Sequence, residues 1–373
     1  MLRFLMNIKV LDNLVEVEAI QTRWNELAND CPLHSWEWMV SWWETFCEDN
    51  QLAVLACRDD KGSLVGIAPW HIDTESMGRV IRSLGSGKVC TDYTRILAGP
   101  AESAAVCDSI VDFLRRAIDG EVDFRLRRVH GVELDGVAID SPESEYLSAS
   151  FASQGFQLTD RPTENSWRVS LEDGWDGLLK SMSSNWRRKA RKAAKRLDSG
   201  QVSFHSTSDA NEFAVAFEKF VDLHQRRRKM LSEDGCFADP RFESFLSLAS
   251  ERLLKRDACR IQWCEHQGNM IVAQFQLLSE STVYMYQSGM DPDALSLEPG
   301  HTILAGAIRS AIDEGRTCYD FLRGDEPYKA GWQGKPVSLS TVRYVSPILA
   351  ARVSNAVTST ARHAKKLVRG WIN

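Results

Sequence analysis

Two stretches of this chain, residues 51–73 and 259–279, follow one plan, and that duplication limits the fold more than any other feature. QLAVLACRDDKGSLVGIAPWHID alternates apolar and polar residues on either side of an Asp59-Asp60-Lys61-Gly62 turn. CRIQWCEHQGNMIVAQFQLLS does the same around His266 to Asn269, so each reads as an antiparallel hairpin. The turn glycines Gly62 and Gly268 correspond. Helical patterns over residues 16–28 and 36–47 precede the first hairpin, and patterns over 211–227 and 240–254 precede the second. After each hairpin come a strand, a helix (101–118; 301–314) and another strand (124–132; 317–323). Self-similarity over such a length indicates two units of one kind.

Each half is therefore expected to be a mixed sheet flanked by helices, in an α/β chain. The expected organisation is a first lobe over residues 1–173, a basic linker helix over 174–200, a second lobe over 201–349 and a basic extension over 350–373. A helix over 143–153 and a strand pair reaching Leu171 close the first lobe. A helical turn near Tyr328 and a strand over 337–345 close the second.

Composition narrows the function. With 43% hydrophobic and 26% charged residues, the 373-residue chain has the apolar content to build cores. The start has only short apolar runs followed by Asp12, Glu16 and Glu18, so neither a secretory leader nor a spanning helix is expected and the protein is placed in the cytoplasm. Nine cysteines include no Cys-x-x-Cys, and the eight histidines show no His-Glu-x-x-His; the cysteines read as buried thiols and no metal is expected. A net charge of −6 argues against general nucleic-acid affinity.

Three segments have the side chains for chemistry. In YDFLRGDEPYKAGW, residues 319–332, strand alternation sets Asp320 and Leu322 on one face and Tyr319, Phe321 and Arg323 on the other, with Gly324 at the turn. Asp320, Arg323, Tyr328 and Lys329 could bind an anionic or acylated substrate and move its proton. They could equally form an ion-pair lattice bracing the sheet. In LEPGHTILAGAIRSA, Pro299 and Gly300 open a helix whose free N–H groups and positive dipole end suit phosphate; His301 and Thr302 could contact it or cap the helix. In SSNWRRKARKAAKRL, residues 183–197, Trp186, Ala190, Ala193, Ala194 and Leu197 form one stripe, and Arg187, Arg188, Lys189, Arg191, Lys192, Lys195 and Arg196 cover the rest. Those charges are either a solvated face or a surface for phosphates, anionic headgroups or RNA. Trp36, Trp38, Trp42 and Trp43 read as core. His224 with Arg226, Arg227 and Arg228 ends a long helix, where cations favour the dipole.

In these segments and in its doubled element order the chain resembles the GNAT superfamily of acyltransferases, in the branch of BioF-type and CelD-like cellulose-biosynthesis proteins related to the Fem-type aminoacyl transferases. The resemblance implies two tandem GNAT-like domains. It also implies an acyl group moved from acyl-coenzyme A to an amine or hydroxyl of a small-molecule or glycan acceptor, in polysaccharide or cell-envelope biosynthesis. It assigns catalysis to Asp320, Arg323, Tyr328 and Lys329, and the coenzyme to Gly300, His301, Thr302, Trp186, Arg187 and Lys192. The superfamily's Gln/Arg-x-x-Gly-x-Gly/Ala loop is missing; Pro299-Gly300-His301-Thr302 stands there, the form usual in that branch. Two other readings accompany it. One is a Fem-like transferase using aminoacyl-tRNA. The other is a non-enzymatic accessory of polysaccharide assembly whose tail, with Lys365, Lys366, Arg369 and Trp371, touches a membrane or another anionic surface.

Overall fold

The two hairpin turns form as the sequence requires. Gly62 and Gly268 adopt φ of 83° and 79°, a left-handed backbone open to glycine, with no atom within 4 Å of where a Cβ would be. A computed structural model describes residues 6–29, 31–75, 78–353 and 355. The basic extension expected over 350–373 lies, past residue 355, outside them.

The first half of the chain contains strands β1 (Asn7–Leu11), β2 (Gln51–Leu52), β3 (Val54–Arg58), β4 (Leu64–Ala68), β5 (Trp70–Glu75), β6 (Gly78–Ser83), β7 (Leu97–Ala98), β8 (Val129–Ala138) and β9 (Gln157–Pro162). Its helices are α1 (Leu14–Glu18), α2 (Gln21–Leu27), α3 (Trp36–Phe46), α4 (Ser103–Asp119) and α5 (Pro142–Ser153). The second half contains β10 (Ser166–Ser170), β11 (Ser203–Ser206), β12 (Cys259–His266), β13 (Asn269–Leu278), β14 (Thr282–Met290), β15 (Cys318–Arg323), β16 (Lys335–Val337) and β17 (Leu339–Val345). Its helices are α6 (Gly174–Ser181), α7 (Ser184–Asp198), α8 (Ala210–Met230), α9 (Pro240–Leu254), α10 (Pro299–Asp313) and α11 (Pro327–Gly331).

These elements gather into two units that are not contiguous in sequence: the described residues within 1–29, 46–163 and 339–373 make one, and those within 30–45 and 164–338 the other. The first holds a four-stranded sheet, β1-β3-β4-β7, and a six-stranded sheet, β2-β5-β6-β8-β17-β9. Its core is the α4 stripe of Val106, Ile110, Val111 and Leu114 with Leu55, Ile81 and Val132. The second holds one seven-stranded sheet, β11-β12-β13-β14-β15-β10-β16. Helix α10 lies close on it because its contact face is small: Gly306 is pressed against Phe204, where a Cβ would fall 2.4 Å from the ring.

Three segments depart from the expected boundaries. The strand read as closing the second lobe, β17, is antiparallel to β8 and β9 in the first unit. Conversely β10, read as closing the first lobe, lies between β15 and β16 in the second. Helix α3 is the third case: Trp38 is core, as read, but it sits edge-on to Phe245 and Tyr286 at 4.8 and 4.9 Å, in the second unit. Strand partners are chosen by distant backbone edges and faces, so proximity in sequence does not fix them.

Candidate active site

In the second unit the parallel pair β14 and β15 comes apart. The two strands are in register only from Thr282–Cys318 to Tyr284–Asp320. Beyond that point β14 stays with β13 as far as Met290, while β15 stays with β10 as far as Arg323. Both ladders shift register there, and Leu322 takes φ of 56° with its N–H turned to Asp320 Oδ1 at 2.8 Å. A left-handed leucine costs about 1–3 kcal/mol, which the surrounding contacts must offset. The result is a wedge between two strands whose facing backbone edges no longer pair with one another. An extended ligand with amide groups can use such edges.

The signature stretch surrounds the end of β15. Asp320 is fully buried; it accepts from Arg168 Nε at 2.8 Å and Ser166 Oγ at 3.2 Å, as well as from Leu322 N. Its carboxylate thus joins β15 to β10. Lys329 is also buried, and its Nζ donates to the carbonyls of Leu322, Arg323 and Gly324 at 2.9–3.0 Å while pairing with Glu326 at 2.9 Å. Three N–H groups with four acceptors leave no donor over, so Lys329 closes the strand end. Arg323 lies opposite Ser166 on β10 and lends its carbonyl to Lys329. Tyr328 is different: half-buried and edge-on to Phe321, it has no hydrogen bond among the described residues. Burial, with Glu326 and Tyr319 nearby, raises its hydroxyl pKa, so the phenol keeps its proton at neutral pH.

The second cluster forms where α7 meets the start of α10. Ser183 caps α7 through the Trp186 N–H, and Ala190, Ala193 and Ala194 are buried. Arg196 shares that buried side. It and Lys192, one turn apart, each place a nitrogen 2.7 Å from Glu298 Oε2. Glu298 is the residue just before α10 and has a left-handed backbone (φ 49°). Hydrogen bonds from Lys192 and then Arg196 hold its carboxyl down to about 2. Arg196 Nη1 is buried without a hydrogen-bond partner. His301 lies between Trp186, edge-on at 5.4 Å, and Trp332, whose indole N–H donates to Nδ1 at 3.4 Å. Burial first, then Lys189, lowers the His301 pKa and keeps the ring neutral. Lys189 Nζ lies 4.5 Å from the Trp186 ring centre.

Of the residues read as coenzyme contacts, Trp186, Lys192, Gly300 and His301 meet here. Gly300 keeps the helix start clear beside Met290, whose methyl would be 3.1 Å from a Cβ. Thr302 does not join them: its buried hydroxyl donates back to the Glu298 carbonyl at 3.3 Å. Arg187 is also turned away, with Nη2 on the carbonyls of Lys180 and Met182 at 2.9 Å, tying α7 to the end of α6. The sequence reading puts Arg196 with the other α7 charges on the cationic face, whereas its side chain is buried with the alanines; Glu298 and Arg168 are not singled out there. The signal for the first was its place among the alanines of the α7 stripe; for the second, it was an acid at a Pro-Gly helix start with cations four apart on α7.

Residues 181–330, from the end of α6 to α11, match the family model described as an acetyltransferase (GNAT) domain. That domain contains the wedge and the α7–α10 cluster, whereas β10 and β16 lie beyond the matched span. No curated protein matches the sequence. Similar solved structures include that of FemX, with TM-score 0.62 at 10% identity over 86% of this chain and 95% of that one. The C-terminal domain of a putative lysylphosphatidylglycerol synthetase from Agrobacterium fabrum has TM-score 0.55 at 8% identity, over 93% and 97%. L-PGS from Bacillus licheniformis has 0.51 at 11%, over 94% and 96%. At such identities the likeness is one of fold. Among the described residues no group of three His, Cys, Asp or Glu side chains could hold a metal ion, and no helix is long and apolar enough to cross a membrane.

Proposed function

We propose that the GNAT domain transfers an acyl group from acyl-coenzyme A to an amine or hydroxyl acceptor. The observation that carries the reading is the cation cluster where α7 meets the start of α10: Arg196, buried with one nitrogen unpartnered, and Lys192, both beside Glu298. A buried guanidinium with one nitrogen still unpartnered, beside its Glu298 pair, fits a ligand with charged oxygens. The coenzyme supplies the thioester and its phosphates. Lys192, Arg196 and the Gly300 N–H would hold the phosphates, standing in for the missing glycine loop, and Trp186 and His301 would wall the site. The edge of β14 past Tyr284 would align the extended part of the donor, so that proximity supplies much of the rate. Tyr328, protonated and without a hydrogen bond among the described residues, is suited to give a proton to the leaving thiolate. Asp320, Arg323 and Lys329 would support the wedge by fixing the end of β15.

A second reading draws on the fold shared with FemX and the lysylphosphatidylglycerol synthetases: an aminoacyl-tRNA donor, with the exposed Arg188, Arg191 and Lys195 of α7 along the RNA. A thermal-shift series with acetyl-, succinyl- and long-chain acyl-coenzyme A tests the first reading, since a ligand that binds the native state raises its melting temperature. A rise that disappears in Arg196→Gln supports it. No rise with any thioester, together with retention of charged tRNA that weakens steeply with salt, replaces it by the second. A glycan or cell-envelope acceptor would then be sought by thioester consumption with amino sugars against simple amines.

A further inference from the structure

A second set of reactive groups lies on the other face of the GNAT domain, in the connection between α8 and α9. Cys236, half-buried at the start of a short 3-10 turn, has its Sγ 3.6 Å from Nε2 of His224, which is buried on α8. The imidazole has a fixed orientation. Its Nδ1 is 3.1 Å from Gln225 Oε1, and the Gln225 amide is itself oriented, because Nε2 donates to the Asp234 carbonyl at 3.2 Å. An amide oxygen can only accept, so Nδ1 carries the hydrogen and Nε2 turns its lone pair toward the thiol. Glycine makes this possible: Gly235 has φ of 75°, and a Cβ there would fall 2.4 Å from Gln225 Oε1. The set also lies against the wedge strand. Gly289, in the part of β14 that has left β15, lets α8 come so near that a Cβ would be 2.5 Å from His224 N. Gln287, on the same stretch, is a further hydrogen-bonding neighbour of the ring, and Arg228 is the nearby charge. Burial takes the His224 pKa down to about 4, so the imidazole rests neutral.

A nucleophile, a base within reach of it and a third group orienting the base are the parts of covalent catalysis. We propose that Cys236 is an acyl relay: its sulfur takes the acyl group from the donor thioester and passes it to the acceptor, with His224 as base and Gln225 as positioning residue. This rests on the thioester donor proposed above. In the first step His224 Nε2 takes the thiol proton while Sγ bonds to the carbonyl carbon. The donor's C–S bond breaks, Tyr328 gives its proton to the departing thiolate, and the proton held by His224 is returned to the phenol oxygen by way of solvent. Thioester is exchanged for thioester, so no oxidant or other co-reactant is needed. In the second step the acceptor nitrogen or oxygen attacks the Cys236 thioester, its proton goes to His224, and the Cys236 sulfur leaves and takes that proton back. Cys264, by contrast, is buried, with its pKa raised to about 12 by burial alone.

The full chain is incubated with acetyl-, succinyl- and long-chain acyl-coenzyme A without acceptor, quenched and peptide-mapped by mass spectrometry. The expected result is an acyl group on Cys236 that neutral hydroxylamine removes, as it does a thioester but not an amide. His224→Asn should slow its appearance about 10²-fold, the usual contribution of a general base. Gln225→Ala should slow it about tenfold at unchanged melting temperature, and Gln225→Glu, which still accepts from Nδ1, should restore the rate. Thioester consumption with no Cys236 adduct, and with turnover unchanged in Cys236→Ser, overturns the relay and leaves the transferase reading standing. Failure to bind or consume any thioester overturns both.

Discussion

The two units solve one structural problem alike and then diverge. Each has a parallel strand pair whose second strand carries an acid opposite an arginine on the next, antiparallel strand. In the first unit Glu133 on β8 faces Arg343 on β17 and Arg82 on β6. In the second, Asp320 on β15 faces Arg168 on β10 and Tyr284 on β14. Although burial pushes the Glu133 carboxyl up, Arg82 and Arg343 together hold it below its usual range. Because the first unit places an acid at the same point in its plan, the position of Asp320 is one the architecture uses, whether or not chemistry is done beside it.

The units differ at the start of the crossover helix. Before α4 in the first unit, the Glu102 carboxylate folds back over Gly99, where a Cβ would be 2.5 Å from Oε2. Before α10 in the second, Glu298 is held by Lys192 and Arg196 from α7. One helix start is closed by its own acid. The other has an acid that two cations can release to a competing anion.

Five substitutions would break or sharpen this contrast. The largest effect should come from Asp320→Ala, which takes this acceptor from the buried Ser166 hydroxyl and Leu322 N–H and is expected to cost about 3 kcal/mol in urea unfolding. Donor-induced stabilisation should survive wherever the variant remains folded; a loss of turnover at unchanged stability would instead make Asp320 a reacting group. Next, Tyr328→Phe should lower kcat about 10²-fold and leave the donor-induced rise in Tm intact, as expected if the phenol gives a proton and does not bind. Third, Arg196→Gln should weaken donor binding about tenfold by titration calorimetry, and Glu102→Gln should not change it. Equal effects at the two sites would erase the distinction between the helix starts. The smallest effect belongs to Glu298→Gln, expected to tighten binding of the donor or of inorganic pyrophosphate by about threefold, because the internal competitor loses its charge.

The same residue has a pH signature. The Glu298 carboxyl is lowered from 4.5 to about 2, so its stabilising contribution is complete above the unfolded value and is lost as pH falls through the folded one. Melting temperature should therefore decline between roughly pH 4.5 and 2 by an amount that added salt reduces, since Lys192 is exposed and Glu298 partly so, and Glu298→Gln should flatten that decline.

Much of the fold was legible because its signals are local. The hairpin glycines, Ser183 as the cap of α7, Asp239 and Pro240 at the start of α9 and the Pro299-Gly300 opening of α10 each act within a few residues. The site was legible only in part. The Tyr319–Trp332 stretch and the basic helix were recognisable, but the sequence could not separate Lys329, whose ammonium is enclosed by three carbonyls, from Tyr328 one residue earlier. The role of His224 was hidden too. Twelve residues separate it from Cys236, and only the turn at Gly235 brings the thiol back to the ring.

By itself the sequence determined the doubled element plan, the mixed α/β class and the places where helices and hairpins begin, because hydrophobic period and turn chemistry are read over one or two turns of chain. The tertiary structure alone decided that β10 and β17 each pair outside the lobe they appear to close, that Arg196 is buried against Glu298, and that β14 and β15 part after three residues. Those outcomes depend on which distant edges and charges meet. Strand pairing and ion pairing act through space, between residues whose separation along the chain carries no information about their contact.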